Sequence, residues 1–116
     1  MKLYIAILDE FPDQMTPTLV AHSMLGAHLK FCIKEQGAHT YENYDKWLTN
    51  SFKKCTLRVN QKEFDKIALL TDTYLGHENT TLNGRKSCAI PLPMPNEKLP
   101  NVLRYAKLWK PKEVIL

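Results

Sequence analysis

Hydrophobic and polar positions follow three different rhythms along this chain, and each rhythm predicts an element. In "KLYIAIL" (2–8) six apolar residues follow Lys2 without a break, the pattern of a strand buried on both faces. "DEFPDQM" (9–15) carries acids and a proline without periodicity, so it reads as a loop. Thr16-Pro17 is a helix-start signal, a capping hydroxyl followed by a proline at the first helical position, and predicts a helix over about 17–35. On its helical wheel Ser23, Lys30 and Lys34 share one stripe, and Leu25, Leu29, Cys32 and Ile33 the opposite one. That predicts docking on a sheet through the leucines. His22 falls on the same apolar face, with Thr18 one turn earlier, while His28 points away.

The stretch 37–50 is polar and aromatic, a loop with a short helix. "KKCTLRV" (53–59) alternates as a half-buried strand does, with Lys54, Thr56 and Arg58 on one face and Lys53, Cys55 and Leu57 on the other. "NQKEFDKIALLTDTYL" (60–75) reads as a helix capped by Asn60, with Glu63 three residues on. "GHENTTLNGR" (76–85) is turn-rich with room for a short strand, and "KSCAIPLPM" (86–94) is a strand ended by prolines. "NEKLPNVLRYAKLWKPK" (96–112) opens as a short helix and ends in a basic, apolar tail. The order predicts a single α/β domain over 1–116, a small mixed sheet of about four strands with helices packed on it.

Composition adds limits. A chain of 116 residues, 44% hydrophobic and 24% charged, can bury a core. No apolar run reaches the roughly 18 residues a membrane span needs, and the N-terminal run is read as a strand rather than a secretion signal. Cys32, Cys55 and Cys88 are widely spaced and form no CxxC, which points to reduced thiols in a cytoplasmic protein. Without secretion, the "NTT" sequon at 79–81 carries no weight. The net charge is +4, with basic residues gathered in "FKKCTLR", "GRK" and "RYAKLWKPK". Such charge suits nucleic acid, or solubility alone. There is no phosphate-binding or dinucleotide-binding glycine loop and no H-E-x-x-H, and His22, His28, His39 and His77 do not pair at metal-ligand spacing. No cofactor or metal is predicted. Cys55 and Cys88 fall in strand interiors, where small buried thiols are common.

Three local patterns, with the element order, resemble the type II peptidyl-tRNA hydrolase superfamily over nearly the whole chain. That family opens with a strand, an acid–leucine pair and a loop. A helix of the form K-x-x-A-x-Q-x-x-H-A-x-x-G-A follows. In "ILDEFPDQMTPTLVAHSMLGAH", Glu10-Phe11 takes the acid–leucine place, His22 the histidine place, and "LGA" (25–27) matches as it stands. "WLTNSFKKCTLRV" keeps the family's spacing from Trp47 to the strand-opening Lys54. "GRKSCAIPLP" is similar to the family's final loop and strand, with Ser87 in a threonine place, and "LPNVLRYAKLWK" to the ending of diverged relatives. The departures are specific: the lysines at the helix start are absent from "DQMTPT", the family's glutamine is Leu19, its serine is Ala21, and its Asp-Ala-Gly-Arg-Thr loop is at best "GHENTT" with Glu78 and Thr80.

The resemblance implies hydrolysis of the ester between a peptide or amino acid and tRNA. In that reading His22 positions water, with Glu10 and Thr80 beside it as catalytic groups. Thr18 and Leu19 offer helix-start N–H groups to the oxyanion. Lys54 and Arg58 contact phosphates, and Trp47 stacks on the terminal base. Each residue also has a plainer reading: His22 as a hydrogen-bonded core histidine, Lys54 as a surface lysine, Trp47 as a core anchor, Glu10 as a solvated loop acid. The alternative function is an inactive relative that binds RNA, a nucleotide or a protein. The partner implied is the acceptor end of tRNA. A homodimer is left open, and no membrane partner is implied.

Overall fold

The computed structural model describes residues 1–32, 42–78 and 84–112. Its centre is strand β1 (Lys2–Leu8), with Leu3 and Ile5–Leu8 all buried. β1 pairs in parallel with β2 (Lys53–Val59), in a register that sets Leu3 opposite Lys54 and Ile7 opposite Arg58. A parallel pair needs a long crossover. Helices α1 (Thr16–Cys32) and α2 (Glu42–Lys46), followed by a π-helical turn over Trp47–Ser51, lie along it. Helix α3 (Gln61–Ala68) follows β2, then a hairpin of β3 (Tyr74–Glu78) and β4 (Arg85–Ile90). A short helix α4 (Asn101–Arg104) and a two-residue strand β5 (Lys107–Leu108) end the described chain. The sheet is mixed, in the order β3-β4-β1-β2-β5, with β4 antiparallel to β1 and β5 antiparallel to β2. The class is therefore the mixed α/β sheet that the pattern predicts, with five strands among the described residues where about four are expected.

The predicted bounds of β1 and β2 match the structure, because both strands announce themselves through buried periodicity. Asn60 caps α3 as predicted: its side chain accepts from the Glu63 N–H while Glu63 accepts from the Asn60 N–H. The helix predicted over 60–75 is half that length. It stops at Ala68, Asp72 turns the chain through a left-handed conformation (φ 59°), and Tyr74 and Leu75 belong to β3. The loop predicted over 9–15 contains a 3₁₀ turn at Asp13–Met15. Thr16, already helical at φ −56° and ψ −45°, is thus part of a helical turn and not a cap.

The docking face of α1 departs most from the pattern. Leu25 and Leu29 are 64% and 60% exposed, and the face that packs carries Thr16, Leu19, Ser23, Ala27 and Phe31. The cause is closeness of approach. α1 lies over the β3–β4 hairpin, where a Cβ at Gly76 would stand 3.0 Å from the Ser23 Cβ. The Tyr74 ring similarly occupies the space above Gly26. At that separation only small side chains fit in the middle of the face, while the large Leu19 and Phe31 are buried at its two ends. Gly26 leaves the space in which Tyr74 is seated.

The two sides of the sheet are filled differently. Cys88, whose thiol approaches the Leu19 carbonyl at 3.8 Å, lies on the α1 side. Phe64 and Ile67 of α3 seal the other side. All three cysteines are free, and burial pushes the Cys88 thiol up. No described helix is long and apolar enough to cross a membrane.

Candidate functional site

The parallel register decides which predicted site residues can meet. β1 and β2 start at the same end of the sheet, so Lys54, level with Leu3, lies about 20 Å of strand away from Glu10. The expected pocket of His22, Thr18, Glu10 and Lys54 is therefore not assembled. His22 and Thr18 lie on the outer face of α1, both exposed, and His22 has no hydrogen-bond partner among the described residues. It is not a buried structural histidine. Glu10 instead forms an ion pair with Arg85 at the head of β4. Thr80 lies outside the described residues.

Arg58 is also committed elsewhere. Its guanidinium bonds Asp9 at 2.8 Å, Asp13 at 3.1 Å and the Lys110 carbonyl at 2.6 Å, and lies 4.9 Å from the centre of the Trp109 ring. The Lys112 N–H donates to the other oxygen of Asp13 at 2.6 Å. Together they hold the loop after β1 against the chain beyond β5. Arg58 is a latch, and its two carboxylate partners leave it poorly suited to receive a phosphate. Although partial burial opposes charge on Arg58, the two aspartates outweigh it and raise its pKa. The Lys112 N–H, with further help from Arg58, lowers that of Asp13.

Lys54 and Trp47 do come together, at the end where β1 and β2 begin. Trp47 is 1% exposed, so its indole is a core anchor and offers no face to a base. Its Nε1–H donates to the Lys53 carbonyl at 2.6 Å. Phe52, which the sequence pattern did not single out, stacks on it at 5.3 Å between ring centres and 26° between planes, and is 55% exposed. Behind Trp47 the rings continue inward through Tyr44 to His28 and Phe31. Burial, and then Cys32 and Asp45, push the Tyr44 phenol up to about 12. The neutral phenol stands 2.7 Å from His28 Nδ1.

The turn that presents Phe52 is unusual in two respects. Trp47–Ser51 is π-helical, and Phe52 itself has φ 55°, a left-handed conformation that costs a non-glycine residue about 1–2 kcal/mol. The Phe52 N–H donates to the Trp47 carbonyl at 2.6 Å, and the Ser51 hydroxyl donates to the Met1 carbonyl. The ring is thus held outward by a braced backbone. Around it the charge is positive. Lys54 donates to the Phe52 carbonyl at 2.7 Å and sets its ammonium 3.4 Å from the ring centre. Lys2 and Lys53 are cross-strand neighbours, both exposed, although like charges in that position repel. None of these three lysines makes an ion pair among the described residues, while Lys46 is neutralised by Glu42 at 3.6 Å. Chemically the surface offers an aromatic face and three cations, with no nucleophile or base among them. Among the described residues no group of three or more His, Cys, Asp or Glu side chains is placed to hold a metal ion.

No protein-family model matches the sequence, and no curated protein does either.

Proposed function

We propose that the protein is a binding module for single-stranded RNA whose contact surface is Phe52 with Lys2, Lys53 and Lys54. The observation that carries the reading is an exposed aromatic ring, held outward in a strained turn, beside three cations that make no ion pair among the described residues. Single-stranded nucleic acids are bound by that combination: a ring on which a base stacks, and lysines that follow the phosphates. Strained backbone that presents a side chain to solvent is a recurring mark of function. The unpaired acceptor end of tRNA has the required chemistry, and the family resemblance favours it as the ligand.

Fluorescence anisotropy with a labelled single-stranded RNA and its duplex tests this. Single strands bind in preference to the duplex. Three lysine–phosphate contacts at about 0.7 each predict a log–log salt slope near −2. Lys53→Ala reduces the slope by roughly 0.7, whereas Phe52→Ala weakens binding at an unchanged slope. Absence of binding at low salt, or a silent Phe52→Ala, refutes the assignment.

The ester-hydrolase reading keeps one support, the accessible imidazole of His22. Release of amino acid or peptide from charged tRNA by the purified protein, abolished by His22→Ala, would restore it over the binding module.

A further inference from the structure

At the opposite end of the sheet, where β1 finishes, a cleft of about 360 Å³ opens between α3 and the head of β4. Its floor is apolar, formed by the buried side chains of Leu8 and Phe64. One wall is the exposed edge of α3, where the Gln61 amide donates to Asp65 at 2.8 Å. The other wall is Arg85 and Lys86. β4 carries a bulge just after these two residues. Gly76 pairs with Cys88 and His77 with Lys86, which leaves Ser87 as the extra residue. Arg85 and Lys86 precede it, and both line the cleft. Glu10 stands beside Arg85 and accepts its hydrogen bond, while the Arg85 guanidinium lies 5.1 Å from the centre of the Phe11 ring.

The charges in the cleft balance in number but not in pairing. Glu10 satisfies Arg85. Lys86 has no ion-pair partner among the described residues, and Asp65 has only a neutral amide. Among the described residues one wall therefore holds a cation without an ion-pair partner and the other a carboxylate without one, above an apolar floor. A simple anion meets Glu10 and Asp65 as like charges. A simple cation meets Arg85 and Lys86, and a wholly apolar molecule leaves every rim group unpaired. A molecule that carries both charges on a short backbone, with an apolar substituent, satisfies all three surfaces. The volume lies within the range of small-molecule sites.

We propose that this cleft binds a zwitterionic small molecule of the α-amino-acid class. The ligand's carboxylate lies toward Lys86 and Arg85, its ammonium toward Asp65 and Glu10, and its apolar side chain over Leu8 and Phe64. The inference rests on the cleft alone and stands whether or not Phe52 binds RNA.

Amide chemical-shift titration of the ¹⁵N-labelled full chain with L-leucine tests it. Two analogues each lack one charge: isocaproate has no amino group and isopentylamine no carboxylate. Leucine shifts the resonances of residues 61–65 and 85–86, and each analogue binds about tenfold more weakly or worse. Lys86→Ala and the near-isosteric Asp65→Asn each weaken leucine by about the same factor. Leucine leaving these resonances unmoved at millimolar concentration overturns the proposal. So does equal binding by either analogue, or inorganic phosphate moving the same resonances as strongly as leucine.

Discussion

Gly76→Ala tests which face of α1 meets the sheet, and hence whether His22 faces solvent. Gly76 is buried, and its φ is not positive, so alanine incurs no backbone strain there. Reduced freedom of the unfolded chain alone would stabilise the variant by about 0.4–1 kcal/mol. Space decides otherwise. The new methyl group would overlap Ser23 Oγ and stand 3.0 Å from Ser23 Cβ, and Ser23 is 0% exposed. Rotating the hydroxyl removes the first clash but not the second, so α1 must withdraw by a few tenths of an ångström. Overpacking of this kind costs typically 1–3 kcal/mol, which leaves a net loss of about 1–2 kcal/mol. With Ser23→Gly in the background the nearest Ser23 atom remaining is Cα, at 3.6 Å, an ordinary contact. There Gly76→Ala becomes neutral or stabilising. Urea denaturation of the four proteins in this cycle gives a coupling of roughly 1–3 kcal/mol. A coupling below about 0.5 kcal/mol, or a stabilising Gly76→Ala in the wild-type background, would falsify this docking and return Leu25 and Leu29 to the packed face.

Two more outcomes follow from the strained turn and from the latch. Phe52→Gly exchanges ring packing and some unfolded-state entropy for relief of the left-handed strain, so stability moves by no more than about 1 kcal/mol. Single-stranded RNA affinity, however, falls roughly five- to 150-fold through loss of stacking. A large loss of stability with unchanged affinity would make Phe52 a structural plug instead. At the latch, the Lys112 N–H and then Arg58 hold Asp13 below the usual carboxylate range. A lowered folded pKa means that the contribution of Asp13 to stability is present above its unfolded value and lost as pH falls through the folded one. The Lys112 amide resonance should therefore titrate with a midpoint below the ordinary aspartate value, and Asp13→Asn should abolish that titration. A midpoint at or above the ordinary value means that the tail is not latched there.

Periodicity alone determined a good deal about this chain. A two-sided apolar run at 3–8 and an alternating one at 53–59 have few ways to bury themselves other than as neighbouring strands, and the strands hold their predicted bounds of 2–8 and 53–59. The Asn60–Glu63 cap is a local hydrogen-bond exchange and needs no tertiary partner, so it too was legible. What the sequence pattern could not supply was separation and direction. The docking face of α1 was chosen by how closely Ser23, Gly26 and Ala27 let a helix approach a hairpin, and a wheel scored by hydrophobicity does not contain that distance. Whether β2 runs parallel or antiparallel to β1 decides whether Lys54 meets Glu10 or lies at the far end, and neither strand records the choice. Phe52 read as an ordinary apolar residue because its exposure comes from the backbone turn it occupies. Arg58 read as a free cation because Asp9 and Asp13, 49 and 45 positions away, reach it only in the folded chain. Elements depend on contacts between near neighbours, which the order of residues specifies. Sites depend on the distances between elements, and only packing sets those.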